Sequence, residues 1–255
     1  MQSNFFRLPF GVDFPGASKI AEADASPLAV PGLRANAAVY DQWEFGGDDG
    51  SLTGLVNAQA LTASGTGITL PTYAANYMTI ASGATHGLSP AGITDSNNWT
   101  VGGVFRYTQP AEAAVSKMYA VSSTDTAGLG GMAIFDTPTE RSIRFLTRGI
   151  ATTDSVALDA DVADGDWIFI AISESADHRI AFVGGHSPVR RDGVKTVRTG
   201  GLVSVGNNTY QQANYLTGPA VAAFVIVPAA LDADGLQQLY LETRARMKQR
   251  GITVF

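Results

Sequence analysis

The stretch Gly218-Pro-Ala-Val-Ala-Ala-Phe-Val-Ile-Val-Pro228 decides how this chain folds. Ala220 to Val227 place apolar side chains on both sides of an extended backbone, so the segment reads as a strand covered on both faces. Pro228, with no N–H to give, ends it. From Leu231 the apolar period lengthens from two residues to about three and a half, and Leu236, Leu239, Tyr240 and Met247 fall on one stripe of a helix. Asp232 has the chemistry of an N-cap, and Leu231 and Leu236 flank it as a hydrophobic staple. Arg244, Arg246, Lys248 and Arg250 suit the negative end of the helix dipole and Gly251 a left-handed stop, which predicts a helix over about 232–250.

Upstream pieces lead into this unit: Tyr77-Met-Thr-Ile80, Trp99-Thr-Val-Gly-Gly-Val-Phe-Arg-Tyr107, Asp166-Trp-Ile-Phe-Ile-Ala-Ile172, Arg179-Ile-Ala-Phe-Val-Gly-Gly185 and Leu202-Val-Ser-Val-Gly206-Asn-Asn. Their order, followed by Gly218, the strand and Ala230-Leu-Asp232, resembles the concanavalin A-like lectin/glucanase family, the laminin-G-like domains, over about residues 43–251. The resemblance implies an all-β fold: an antiparallel jelly-roll β-sandwich with one C-terminal α-helix. An extended N-terminal arm over residues 1–42 precedes a sandwich domain over 43–255. Fold alone does not name a function, because lectins, hydrolases, lyases and structural modules share it.

Composition agrees with a folded β-rich chain: 45% hydrophobic, 16% charged and 28 Gly in 255 residues. A net charge of −6 opposes a phosphate backbone unless basic residues segregate, and they do so only at Arg190, Arg191, Lys195, Arg198 and along the last helix, so nucleic acid is not an expected partner. With no cysteine, there is neither a disulfide framework nor a thiolate metal site. Met1-Gln-Ser-Asn-Phe-Phe-Arg7 lacks a signal-peptide pattern, and no apolar run is long enough for membrane insertion.

In the arm, Phe5, Phe6, Leu8, Phe10 and Phe14 are interrupted by Pro9 and Pro15, too proline-rich for a core strand and too apolar for a solvated linker. Such a strip packs along its own sandwich or docks on a neighbouring subunit. Beyond Trp43, strands are predicted around 60–62, 68–70, 77–80, 99–107, 118–122, 132–135, 142–147, 155–158, 167–173, 179–183, 195–197 and 202–205. In the strand from Trp99, Val101, Phe105 and Tyr107 point one way and Thr100, Val104 and Arg106 the other. Many short strands separated by turn residues indicate a sandwich or barrel.

Catalytic patterns are sparse. The glucanases of the resembled family carry Glu-x-Asp-x-Glu on one strand, and the nearest start here, Glu22-Ala-Asp24, continues with Ala-Ser inside the arm. His86, His178 and His186 lack zinc spacing, and neither a nucleophile elbow nor a phosphate loop occurs. Asp159, Asp161 and Asp164 resemble a calcium loop without its register, reading first as an acidic turn. Asp95-Ser-Asn97-Asn98 is a second oxygen-rich stretch that would suit calcium or a sugar. No cofactor is required, and calcium is the one metal these groups would take. The loop Asn207-Asn208-Thr-Tyr210-Gln-Gln-Ala-Asn-Tyr215 combines amides with aromatics, the composition of a glycan site and equally of a protein interface.

These readings converge on a non-enzymatic structural protein with a lectin-like fold. Sandwiches of the resembled family occur in tailed-bacteriophage virions as tail fibre, baseplate or capsid-decoration subunits. That implies a virion location after assembly in the host cytoplasm, a homo-oligomer, most simply a trimer, other virion proteins as partners, and attachment to host-surface glycan. The alternative is a free glycan-binding protein or a polysaccharide-active enzyme with an unfamiliar site.

Overall fold

The computed structural model describes residues 41–63, 69–83, 86–109, 116–123, 130–138, 140–207 and 217–255. The arm residues Phe5, Phe6, Leu8, Phe10 and Phe14 lie outside them, as do Asn208, Tyr210 and Tyr215 of the amide-rich loop.

The described residues form a two-sheet β-sandwich with one helix on its outside. The strands are β1 (Asp41–Glu44), β2 (Leu61–Ala63), β3 (Thr72–Tyr73), β4 (Met78–Thr79), β5 (Leu88–Pro90), β6 (Trp99–Arg106), β7 (Met118–Val121) and β8 (Met132–Asp136). They continue with β9 (Ser142–Thr147), β10 (Asp154–Ala157), β11 (Trp167–Glu174), β12 (His178–Val183), β13 (Val189–Asp192), β14 (Ser204–Val205) and β15 (Ala220–Val227), before α1 (Ala233–Gln249). One sheet runs β13-β12-β11-β6-β15-β4-β3, with β1 also paired to β15; the other runs β10-β9-β8-β7-β14-β5-β2. Every strand pair is antiparallel. Asp41 and Gln42 already pair with Ile226 and Val225, so the sandwich's first strand opens two residues ahead of Trp43.

The strand read as apolar on both faces is buried on both. Val221, Phe224 and Ile226 of β15 point into the core between the sheets, with Val101 and Phe105 of β6, Ile170 of β11 and Tyr119, Ile134, Ile143 and Phe145 of the opposite sheet. Ala222, Val225 and Val227 point outward beside Val104, Phe169 and Phe182, and Leu236, Leu239, Tyr240 and Met247 of α1 cover them. A bulge between Val221 and Ala223 lets a strand with this spacing serve both layers. Gly218 is required where β15 begins, because a Cβ there would stand 1.8 Å from the Ile80 carbonyl oxygen.

The helix begins and ends as its sequence dictates. The Asp232 carboxylate accepts from Gly235 N–H at 2.8 Å, and Leu231 and Leu236 are both buried at the staple positions. At the far end Gly251 takes φ +77°. Two strand expectations fail. Residues 195–197 form no strand, because this segment crosses from one sheet to the other, with Thr196 bonded to Arg148 and Gly131. Thr69 and Leu70 also lie outside any strand: Leu70 is 67% exposed and Pro71 removes the next donor.

Replacing Asp232 with Ala removes the cap and should lower stability by about 1 kcal/mol. Urea unfolding followed by circular dichroism checks this, and the far-UV spectrum should stay β-dominated.

Candidate functional site

The register of β6 and β11 fixes the two ends of the sandwich: Trp99 opposite Glu174 marks one, Arg106 opposite Trp167 the other. The sequence-derived site residues divide between them.

At the Trp99 end the interior is ionic. Lys195 reaches inward from the crossing segment, and its ammonium contacts Asp95 Oδ1 at 2.7 Å, Ser96 O at 2.8 Å and Glu174 Oε2. Trp99 Nε1 donates to Glu174 Oε2 at 2.6 Å and Thr147 Oγ1 to Glu174 Oε1 at 2.6 Å. Asp95 accepts also from Ser122 Oγ and from Arg198 N–H, both at 2.7 Å. Beside this cluster Asp154 takes Arg179 on one carboxylate oxygen and Arg191 on the other. Asp95, a calcium and sugar candidate, is therefore buried with an ammonium already as its cation, and Asn98 Oδ1 accepts from Ala230 N–H at 3.1 Å. The basic run is spent the same way: Lys195 is buried, Arg191 holds Asp154, Arg190 holds Asp192, and Arg198 donates to the Ser122 and Ser123 carbonyls.

At the opposite end β14 closes and β15 opens, each in a different sheet, with residues 206–219 as their connection in sequence. Asn207 is buried where that connection leaves β14, with its carbonyl accepting from Gly87 N–H at 3.3 Å. Thr217, where the connection returns, bridges Lys117. Below it lies a buried titratable group. Asp136 accepts from Lys117 N–H at 2.6 Å and from Tyr119 O–H at 3.0 Å, with the Lys117 ammonium 3.8 Å away and bonded to Thr108 O. Burial raises the Asp136 carboxyl above its ordinary value even though Lys117 and Tyr119 pull it down. Burial likewise lowers the Lys117 ammonium and raises the hydroxyls of Tyr107 and Tyr119.

The acidic turn lies at the same end, and its carboxylates diverge. Asp164 accepts from Gln109 N–H at 2.7 Å and Asp166 from Ala163 N–H at 2.7 Å. Asp159 and Asp161 turn the other way, onto a shallow cleft of about 190 Å³. Its floor is Leu158, Val162, Ile168 and Val183; Gly184, Gly185, His186, Arg244 and Phe255 complete it. Among the described residues, no group of three His, Cys, Asp or Glu side chains could hold a metal ion. Among them, too, no helix is long and apolar enough to cross a membrane.

The cleft residues come from five separated places, around 158–162, 168, 183–186, 244 and 255, and no local motif announced them. His186 had been read only for metal spacing and Arg244 only for the helix dipole. Three constraints assemble the site: the β11–β12 hairpin pairing, the Arg141 guanidinium bonded to the carbonyls of Asp159 and Val162, and the Phe255 N–H bonded to Trp167 O at 2.8 Å. Gly184 is fixed by packing, since a Cβ there would meet the Tyr240 ring at 2.4 Å.

No protein-family model and no curated protein sequence matches the chain. Solved structures do. A Trypanosoma rangeli sialidase in complex with a difluoro-KDN superposes with a TM-score of 0.56 at 9% identity, over 79% of this chain and 32% of that one. The botulinum neurotoxin serotype D binding domain gives 0.55 at 12% identity, over 83% and 52%. The same domain in complex with N-acetylneuraminic acid gives 0.55 at 10%, again over 83% and 52%. The likeness is one of fold. It shows a β-sandwich fold, the all-β class that the sequence resemblance implied. The chain spans about a third of the sialidase and about half of the toxin domain.

Lys195→Met leaves two buried carboxylates without their cation and should cost about 3–5 kcal/mol in denaturant unfolding. The Asp136 carboxyl has a raised folded-state pKa, so its stabilising contribution is complete below the ordinary carboxylate value of 3.8 and is lost as pH rises through the raised one. The stability of the parent minus that of Asp136→Asn should therefore fall between about pH 3 and neutrality, as read from unfolding midpoints across that range.

Proposed function

We propose that this chain is a non-catalytic, lectin-like recognition module that takes surface glycan at the Arg106–Trp167 end of the sandwich, and that it serves as a structural subunit of a virion. One observation carries the non-catalytic, glycan-binding part. The interior carboxylates Asp95, Asp136, Asp154 and Glu174 are each held by an ammonium, a guanidinium or hydroxyl and amide donors. By contrast Asp159 and Asp161 stand exposed at the end where Asn207 follows β14 and Thr217 precedes β15. Hydrolysis of a glycoside needs two carboxyl groups facing one bond across an open space, whereas recognition needs only polar groups and apolar surface at a rim. The complex of a fold neighbour with N-acetylneuraminic acid makes sialosides natural first ligands to test, beside neutral glycans. The virion part rests on the sequence: the apolar strip of Phe5, Phe6, Leu8, Phe10 and Phe14 supplies a docking arm, homotrimeric or onto another virion protein.

The full chain on a glycan array should bind, and should release no sialic acid or reducing ends from the glycans it binds. Tyr210→Ala and Tyr215→Ala should weaken binding that runs through the connection. Release of sugar overturns the non-catalytic reading, and an array without signal overturns glycan recognition. Deleting residues 1–40 should lower the assembled mass in light scattering; an unchanged mass overturns the assembly role.

A further inference from the structure

From the lining of the cleft we infer that it is a binding site for one neutral pyranose ring. This inference rests on the glycan-recognition reading and adds the place and the class of sugar. The cleft's charges exclude other occupants one by one. An anionic ligand would face both Asp159 and Asp161 against the single guanidinium of Arg244. Among the described side chains a bare cation would find two carboxylates here, with Arg244 and His186 beside them, and no group of three acids or imidazoles. A purely apolar ligand would have to cover four polar side chains on its way to the floor. A sugar ring has what remains: hydroxyls around its edge and an apolar C–H face.

The groups it needs are unspent. Asp161 makes no hydrogen bond or ion pair among the described residues, and Arg244 rests on the Tyr240 ring at 5.8 Å with no carboxylate partner among them. Asp159 Oδ2 and His186 Nε2 are 3.8 Å apart, too far for a hydrogen bond and close enough for adjacent hydroxyls to engage both. Carboxylate oxygens accept from neighbouring hydroxyls, the guanidinium donates, and Phe255, 37% exposed, supplies aromatic surface above the aliphatic floor. Size agrees as well. At about 190 Å³ the cleft is smaller than the roughly 300–1,000 Å³ that takes drug-sized ligands, so it holds one ring with the rest of a glycan leaving toward solvent.

The test is a titration of the full-length chain, labelled with nitrogen-15, with the methyl glycosides of glucose, mannose and galactose, and separately with N-acetylneuraminic acid. A neutral glycoside should give saturable shifts of the Gly184, Gly185, His186 and Phe255 amides. Asp161→Asn and Arg244→Ala, both at exposed positions, should each weaken that binding about tenfold, the effect of losing a hydrogen bond to a charged group, with the circular dichroism spectrum unchanged. Shifts confined to residues 207–217 would overturn the cleft and leave glycan recognition standing. Binding of N-acetylneuraminic acid here without any neutral sugar would overturn the charge argument. Absence of shifts with an active array also removes the cleft, and absence of both removes the glycan reading itself.

Discussion

A strand with apolar side chains on both faces can be wetted on neither, and β15 imposes that requirement on the whole molecule. Its inner face needs a second sheet and its outer face needs α1, so three layers follow from eight residues. Each large apolar side chain fully buried contributes about 1.5–3 kcal/mol, which a single sheet exposed to solvent would forfeit. Strand β6, at the centre with β15 and β11 on either side, meets the demand with Gly102 and Gly103. A Cβ on Gly103 would lie 2.4 Å from the Ala223 carbonyl oxygen, so the bulged part of β15 approaches only a glycine.

The ionic end is the polar counterpart of that apolar slab. Trp99, Glu174, Arg179 and Arg191 stand in one cross-strand row over β6, β11, β12 and β13. Three cations, Lys195, Arg179 and Arg191, meet three carboxylates, Asp95, Glu174 and Asp154. Apart from the half-exposed Arg191 these ions are buried, at a cost of several kcal/mol each before pairing repays it, so this cluster specifies geometry more than it adds stability. It ties the crossing segment that carries Lys195 to both sheets at once.

The sequence was most informative where one segment carries its own instructions. Asp232, the Leu231–Leu236 staple and Gly251 bounded the helix, because caps and stops act within a few residues of where they stand. The alternation from Trp99 to Tyr107 gave both faces of β6 correctly. It misled at Lys195–Val197, where the same alternation belongs to an extended segment with no ladder of its own, and where the inward residue is a lysine matched to acids about 100 and 21 positions away. The short strands β3 and β5 were passed over, since two or three residues carry no readable period. The Asp159–Asp166 turn was legible as acidic, yet which carboxylates share a cleft depends on Arg141, the β12 turn and the C-terminal segment.

The pairing of β1 with β15 has a mechanical meaning. β1 lies antiparallel against β15, from Asp41 opposite Ile226 to Glu44 opposite Ala223. The Asp41 carboxylate is itself clamped by the N–H groups of Gln42, Val56 and Gln59. Tension applied ahead of Asp41 along the strand axis would load the β1–β15 hydrogen bonds together in shear, and would not peel them one at a time. The pull would pass straight into β15, the strand beside the central β6 and buried on both faces, and the domain would resist it as an anchor loaded at its core.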